Sequence, residues 1–528
     1  MIEARASARE SGKPLHHFWS VCVGAGRANE GLRANWLEQM KLVKDSCGFQ
    51  YVRFHGLFHD DMFVYRQANG TPVYNFQYVD ELFDRLLGIG VRPFVELGFC
   101  PSDLATEKGT VFWWKGNGSP PKDYNRWAEL VSRLVSHCID RYGIDEVRRW
   151  YFEVWNEPNL HPFFKGTRSQ YFELYRVSVR AIKQIDSRLR VGGPSTSNFV
   201  PDARFDGETE DTSHHRTVTK AADLDALDWR PVWISQFFEF CNRNDLPVDF
   251  VSAHPYPTDW ALDELGQVNQ HTRGVDSTRN DLKLLRRMID ASHYADAEIH
   301  LTEWSSSPSP RDHTHDHLQA ATYVVKCNVE SAGLVDSLSY WTFTDVFEEG
   351  GAGDTAFHGG FGMINFQGIP KPTFHAYRML HALGDEILQM APGAIITRHH
   401  DSGRLTALAY HYPEEVKLAV PTSASSREVA RKTLGAGSKA RLSIDLRDLP
   451  PGARVAVETL GQDSGNAMHA WMEMGEPDPL SREQTALLRE YAGRTRNEIF
   501  QVNDSGRFTL ERPIDPWNVV LVRELEPL

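Results

Sequence analysis

Residues 150–160 read WYFEVWNEPNL. The first seven (150–156) are a short, largely apolar run of aromatic and β-branched side chains, the composition of a strand buried on both faces of a parallel sheet. Glu157 stands where that strand ends. Seven further runs have the same character: FWSVCVG (18–24), YVRFHG (51–56), RPFVELG (92–98), RVGGP (190–194), FVSAHPY (250–256), EIHLTEW (298–304) and SLSYWTFTD (337–345). Helical patterns separate them. Trp127, Leu130, Val131, Leu134 and Cys138 share one face of a helix that runs to Tyr142, and a second helix covers about Tyr171 to Ile185.

Eight strand–helix units between about Phe18 and Ile387 predict an α/β fold, a (β/α)8 TIM barrel rather than an open doubly wound sheet, over residues 14–387. Beyond Ala391 the texture changes to short β-rich segments: AIITRHHD (394–401), RLTALAYHY (404–412), VKLAVPTS (416–423), RLSIDLRDL (441–449), RVAVETLG (454–461), GRFTLERPI (506–514) and VVLVRELE (519–526). These predict an accessory all-β sandwich over 388–528, joined by residues 1–13. One helix, LSREQTALLREYA (480–492), interrupts it, with Ser481 as N-cap.

The 528 residues carry 57 basic and 71 acidic side chains, a formal charge of −14, which argues against a nucleic acid or an anionic membrane as partner. The N-terminus has no apolar stretch long enough for a signal peptide, and nowhere do about 18 apolar residues run together, so a cytoplasmic protein is expected. Six dispersed cysteines without a C-x-x-C pair predict reduced core residues. The 14 tryptophans and 17 tyrosines suit a sugar cleft as well as an ordinary core.

In a TIM barrel the C-terminal strand ends converge on one pocket, which would gather His55, Asn156, His254, Glu303 and Trp341. Glu157 after the fourth strand and Glu303 at the end of the seventh would face each other across the barrel axis. Retaining hydrolysis of a glycosidic bond needs such a pair, about 5–5.5 Å apart, one carboxyl protonated and one ionised. Pro158 is expected to hold Glu157 extended. Arg53, on the same face as His55, could keep Glu303 ionised and so raise Glu157, or could be a buried partner of Glu96 or Glu153. The alternating histidines of RDHTHDH (311–317) fall on no single helical face and predict no metal site, and Gly24-Ala25-Gly26 lacks the third glycine of a dinucleotide loop.

The chain resembles the β-xylosidases of glycoside hydrolase family 39 over nearly its whole length. The resemblance is carried by VCVGAGR (21–27), YVRFHGLFHDD (51–61), RPFVELGF (92–99), SPPKDYNRW (119–127), FEVWNEPNL (152–160), VGGP (191–194), PVDFVSAHPY (247–256), HLTEW (300–304), YWTFTDVFEE (340–349), FHGGFG (357–362) and IPKPTFHAY (369–377). It implies a barrel with a β-sandwich, no cofactor, Glu157 as acid/base and Glu303 as nucleophile of an exo-acting enzyme on xylooligosaccharides. Sugar contacts carry over to His55, Phe112, Asn156, His254, Tyr256, Trp341, Glu348 and Glu349. Asn156 would bond the 2-hydroxyl, Phe112 and Trp341 would wall the ring, and Glu348 with Glu349 would accept from the outer hydroxyls. Trp113 and Trp114 are rivals to Phe112 as the wall. Residues 204–231 lengthen the loop after the fifth strand relative to the family pattern. The same resemblance admits an α-L-iduronidase or an endo-acting glycosidase, and fold alone would admit a silent sugar-binding protein.

Overall fold

Eight short parallel strands close on themselves in chain order: β1 (Cys22–Arg27), β2 (Tyr51–His55), β3 (Arg92–Leu97), β4 (Tyr151–Val154), β5 (Arg190–Ser197), β6 (Phe250–His254), β7 (Glu298–Trp304) and β8 (Ser337–Tyr340). The computed structural model describes residues 1–160, 162–200, 227–262, 268–416 and 426–526. Each strand is followed by a helix: α1 (Ala34–Cys47), α2 (Gln77–Gly88), α3 (Tyr124–Tyr142), α4 (Arg168–Ile185), α5 (Ile234–Arg243), α6 (Ser277–Asp290), α7 (Leu318–Glu330) and α8 (Pro372–His381). The TIM barrel expected from the apolar runs is therefore present. In α3 the predicted face, Trp127 through Cys138, is buried against the barrel, and Asp123 caps the helix by accepting from the N–H groups of Asn125 and Arg126.

Two strands depart from their expected bounds. Phe18–Ser20 is a 3₁₀ turn, and β1 starts at Cys22. An apolar run does not distinguish a buried turn from a strand, and Phe18 and Trp19 are buried on the far side of β1 from the strand ends. The eighth strand stops at Tyr340, and the ring of Trp341 lies against His55 at the barrel mouth.

The barrel interior is layered by the two-residue period of its strands. Cys22, Tyr51, Phe94, Tyr151 and Phe250 form an aromatic floor, joined edge-on by His300. Two residues further along each strand stand Gly24, Arg53, Glu96, Glu153, Ser252 and Thr302, so the apolar layer gives way at once to a polar one. The glycines discounted as a nucleotide loop serve packing. A Cβ on Gly24 would lie 2.4 Å from the Trp341 ring, and one on Gly26 would lie 2.2 Å from a carboxylate oxygen of Glu30.

The C-terminal segments form a seven-stranded sheet from Lys13–Pro14, Glu386–Ala391, Ala394–Arg398, Leu405–Tyr410, Val519–Glu524, Arg454–Leu460 and Arg496–Gln501, and a three-stranded sheet of Ile2–Ser7, Ala440–Arg447 and Phe508–Ile514. They share a core in which Ile2, Leu442, Ile444 and Leu510 meet Ile396, Val455, Val457 and Val522. Strand Arg496–Gln501 was not legible in the sequence, since it is an edge strand with almost every side chain exposed. Of VKLAVPTS only Val416 falls among the described residues, at the end of a 3₁₀ turn. Ser481 does cap helix Arg482–Ala492, accepting from the Gln484 N–H. That helix lies outside the sheet core: with Ala467–Glu473 it packs on Phe357 and Ile369 of the loop after β8.

The histidine-rich run is a brace for the same loop. His315 Nδ1 lies 3.1 Å from the Gly359 carbonyl oxygen, and Asp316 accepts from the Gly359 N–H at 2.7 Å. Asp316 also pairs at 2.8 Å with Lys371, which pairs at 2.6 Å with Asp345, and all three side chains are buried. Removing one member of a buried ion group costs roughly 3–5 kcal/mol because its partners stay charged. Lys371→Met is therefore expected to lose about that much stability, read as a lower denaturant midpoint with unchanged slope.

Candidate active site

The polar layer is organised by Arg53, which is fully buried. Its guanidinium reaches Glu153 at 2.6 Å, Glu96 at 3.0 Å and Glu303 at 3.5 Å, and donates to Asn156 Oδ1 at 2.8 Å. Of the two readings of Arg53 from the sequence, the buried partner of Glu96 and Glu153 has the closer contacts, and Glu303 is the more distant partner. Next along β2, His55 Nδ1 lies 2.7 Å from Glu96, while Nε2 faces Glu349 at 3.6 Å and Glu303 at 3.9 Å. Burial alone would lower the His55 pKa, but Glu96 and Glu349 outweigh it and raise it to about 10, so the ring is a cation.

Glu157 and Glu303 meet above this layer. A donor atom from each of Glu157, Glu303 and His254 lies within 4.8 Å of the other two. His254 Nδ1 is 3.0 Å from Glu157 Oε1 and 3.8 Å from Glu303 Oε2. Tyr256 donates its hydroxyl to Glu303 Oε1 at 2.7 Å. Burial pushes both carboxyls up from their ordinary value, each to about 7, and the charge of Glu157 adds to the rise at Glu303. Carboxyls so close titrate as a pair. Glu303 accepts from the phenol of Tyr256 and Glu157 from the hydroxyl of Ser197, while Arg53 and the His55 cation favour the charged form of both. The rise at Glu157 comes from burial first, not from Arg53 acting through Glu303.

The backbone at Glu157 is not extended. Its φ is 45°, in the left-handed region, although Pro158 follows. The preference set by a following proline is overruled because the Glu157 N–H donates to the Ser195 carbonyl at 2.9 Å, and the Glu157 carbonyl accepts from the Leu160 N–H at 2.9 Å. Ser195 itself has φ 56° at a register shift in β5, a bulge that turns its carbonyl towards the fourth strand end. Such conformations cost about 1–3 kcal/mol each and persist where surrounding contacts fix them.

The remaining predicted contacts separate into two groups. Phe112 stacks on His55 with ring centroids 5.7 Å apart, and Trp341 lies at 4.7 Å on the same imidazole. Trp114 backs Phe112 at 5.3 Å, and Trp113 is 65% exposed, so Phe112 is the ring beside His55. Asn156 Nδ2 has no hydrogen-bond partner among the described residues, and Arg53 Nη1 and Glu303 Oε2 have no hydrogen bond beyond their 3.5 Å ion pair with each other. Glu349 belongs here, tied to the Phe112 loop by the Trp113 N–H on its carbonyl at 2.9 Å. The two oxygens of Glu348 are held by Arg27 at 2.9 Å and Arg33 at 2.5 Å. Sequence reasoning missed Ser195 and Ser197, whose hydroxyl bonds Glu157; the polar tail of RVGGPSTSN was the available signal.

Glu157, His254 and Glu303 are also the one trio of described residues spaced to hold a metal ion. Arg53 and the His55 cation already supply positive charge beside them, and hydrolysis by two carboxyls calls for no metal.

A parallel barrel with two facing glutamates at the ends of β4 and β7, wrapped by aromatic rings and unpaired hydrogen-bonding groups, defines the class of the enzyme as a glycoside hydrolase. Residues 2–509 match the description "Glycosyl hydrolases family 39", and the chain belongs to that family. It is 37% identical to a β-xylosidase of Geobacillus stearothermophilus over 89% of this chain and 85% of the relative. It is 35% identical to a β-xylosidase of Caldicellulosiruptor saccharolyticus over 96% and 95% of the two chains. Among solved structures, a monomeric β-xylosidase from Caulobacter crescentus CB15 superposes with a TM-score of 0.84 at 32% identity, covering 99% of each chain.

The raised pKa of Glu157 has a stability consequence. Between the ordinary value of 4.5 and the folded value of about 7, the folded state holds a proton that the unfolded chain has released, so stability falls as pH rises through that window. Glu157→Gln removes the effect. The variant is expected to gain on the parent by roughly 2–3 kcal/mol from pH 4 to pH 8, measured by denaturant unfolding across the series; a constant difference would rule out the raised pKa.

Proposed function

We propose that the chain is a retaining, exo-acting β-D-xylosidase that releases xylose from xylooligosaccharides by double displacement, with Glu157 as acid/base and Glu303 as nucleophile. The observation that carries the reading is the approach of the two carboxyls to within 4.8 Å, oxygen to oxygen. That spacing belongs to covalent catalysis; an inverting pair stands about 6.5–9.5 Å apart to admit water between.

In the first step the Glu303 carboxylate bonds to the anomeric carbon as the glycosidic C–O bond breaks, and the Glu157 proton passes to the departing oxygen. In the second, water attacks the same carbon, gives its proton to Glu157 and returns Glu303 to the carboxylate. Esterified Glu303 no longer repels charge on Glu157, so the acid of the first step becomes the base of the second. Asn156 Nδ2, unpaired beside Arg53, suits the sugar 2-hydroxyl, whose contacts strengthen in the transition state. Phe112, Trp341 and His55 form the wall for the ring, and Glu349 accepts from a hydroxyl further out.

The named relatives are β-xylosidases, which supports xylose as the sugar. The charge of the mouth supports it over an iduronide, whose carboxylate needs a free cation. Arg27 and Arg33 are both committed to Glu348, and Arg27 also to Asp61. Exo action is supported by the Trp113–Glu349 tie, which joins two loops across one side of the mouth.

Glu303→Ala is expected to be nearly inactive on an aryl xyloside and to recover turnover with azide, giving the glycosyl azide of inverted configuration; a retained product would refute the nucleophile. With the parent enzyme, NMR of xylobiose and longer oligosaccharides is expected to show xylose released stepwise as the β-anomer first. Internal cleavage, or an α-anomer, would overturn the reading.

A further inference from the structure

His254 is buried between two oxygen atoms, Glu157 Oε1 and Thr302 Oγ1, and the hydrogen bonds on its far side decide which of its nitrogens bears the proton. Thr302 Oγ1 donates to Glu153 Oε1 at 2.7 Å, and the other oxygen of Glu153 is paired with Arg53 Nε at 2.6 Å. With its only hydrogen on Glu153, the Thr302 hydroxyl has lone pairs alone to offer His254 Nε2, which lies 2.9 Å away. Nε2 must then be the protonated nitrogen. That leaves Nδ1 bare, 3.0 Å from Glu157 Oε1, a contact that is a hydrogen bond only if Glu157 supplies the hydrogen.

We propose that Thr302 and Glu153 are positioning residues that fix the imidazole proton of His254 on Nε2, so that Nδ1 accepts from the protonated carboxyl of Glu157 and keeps the acid loaded before substrate arrives. The chain of donation runs Glu157 to His254 to Thr302 to Glu153, whose other oxygen accepts from Arg53. The opposite tautomer sets the Nε2 lone pair against a lone pair of Thr302. A doubly protonated ring would put a third positive charge beside Arg53 and His55. Burial, which lowers His254 to about 4, opposes that state as well. The other groups facing the ring are Ser195 Oγ from β5, 3.4 Å from Nε2, and Glu303 Oε2 from β7, 3.8 Å from Nδ1. Neither supplies a fixed acceptor at Nε2 as close as Thr302. The departing glycosidic oxygen would replace Nδ1 as acceptor of the Glu157 proton, and no net charge moves along the chain.

The inference rests on the acid/base reading of Glu157 only for its kinetic consequence; the tautomer belongs to the resting enzyme and is read without substrate. The test is the long-range ¹⁵N spectrum of histidine-labelled, ligand-free enzyme, with the His254 signals assigned by their loss in His254→Gln. The parent and Thr302→Ser, which keeps the hydroxyl, are expected to show the Nε2–H tautomer. Thr302→Val removes the acceptor and is expected to populate Nδ1–H. Glu153→Gln supplies the second variant should Thr302→Val not fold. Its oxygen stays on Arg53 and its amide donates to Thr302, which turns the hydroxyl towards Nε2 and drives His254 to Nδ1–H. In both switched variants kcat/KM is expected to fall at least ten-fold more on xylobiose than on an activated aryl xyloside, and Thr302→Ser is expected to restore the parent ratio. An unchanged tautomer in the folded variants, or the same change in Thr302→Ser as in Thr302→Val, would overturn the relay. Failure of azide rescue with a switched tautomer would instead remove the nucleophile role and leave the relay standing.

Discussion

One guanidinium holds the mouth of this barrel together. Glu96, Glu153 and Glu303 come from three strands, and without Arg53 among them their charges would drive those strand ends apart. Burying an arginine costs several kcal/mol on its own, and here the cost is offset by three carboxylates and the amide oxygen of Asn156. Arg53 and the His55 cation also favour the charged forms of Glu157 and Glu303, against the burial that raises both.

A second ionic network shapes the rim. Arg27, from the end of β1, pairs with Asp61 after β2 and with Glu348 after β8, lies against Glu30, and places its guanidinium 5.3 Å from the centre of the Trp114 ring. Three loops that are distant in sequence are thereby joined around the aromatic wall, which Trp114 supports from behind Phe112. The loop after β8 is held from its other side by Lys371 between Asp316 and Asp345, and from outside by the helices at Ala467–Glu473 and Arg482–Ala492. The C-terminal region therefore contributes to the position of Glu349, although none of its described residues is a hydrogen-bond or ion-pair partner of the two glutamates.

The signals that could be read from the chain differ in kind from those that could not. Strand and helix periodicity is local, and the eight apolar runs located the barrel strands to within a few residues, failing where Phe18–Ser20 coils and where β8 stops at Tyr340. Local rules about single residues did less well. The proline after Glu157 predicted an extended backbone, and a hydrogen bond from β5 imposed the left-handed one. RDHTHDH looked unusual because three histidines alternate, yet its part is to brace another loop through Asp316 and His315. Glu348 and Glu349 are adjacent and chemically alike, but Glu348 is paired with two arginines and Glu349 faces His55.

The sequence by itself determined the repeating strand–helix order, the family, and the two glutamates that end β4 and β7, because each is written in residue type and spacing along the chain. Tertiary structure alone decided how close those glutamates stand, how far burial raises them, and which nitrogen of His254 faces Glu157. Those properties depend on distances between groups more than 90 residues apart and on the loss of water around them, and a linear pattern encodes neither.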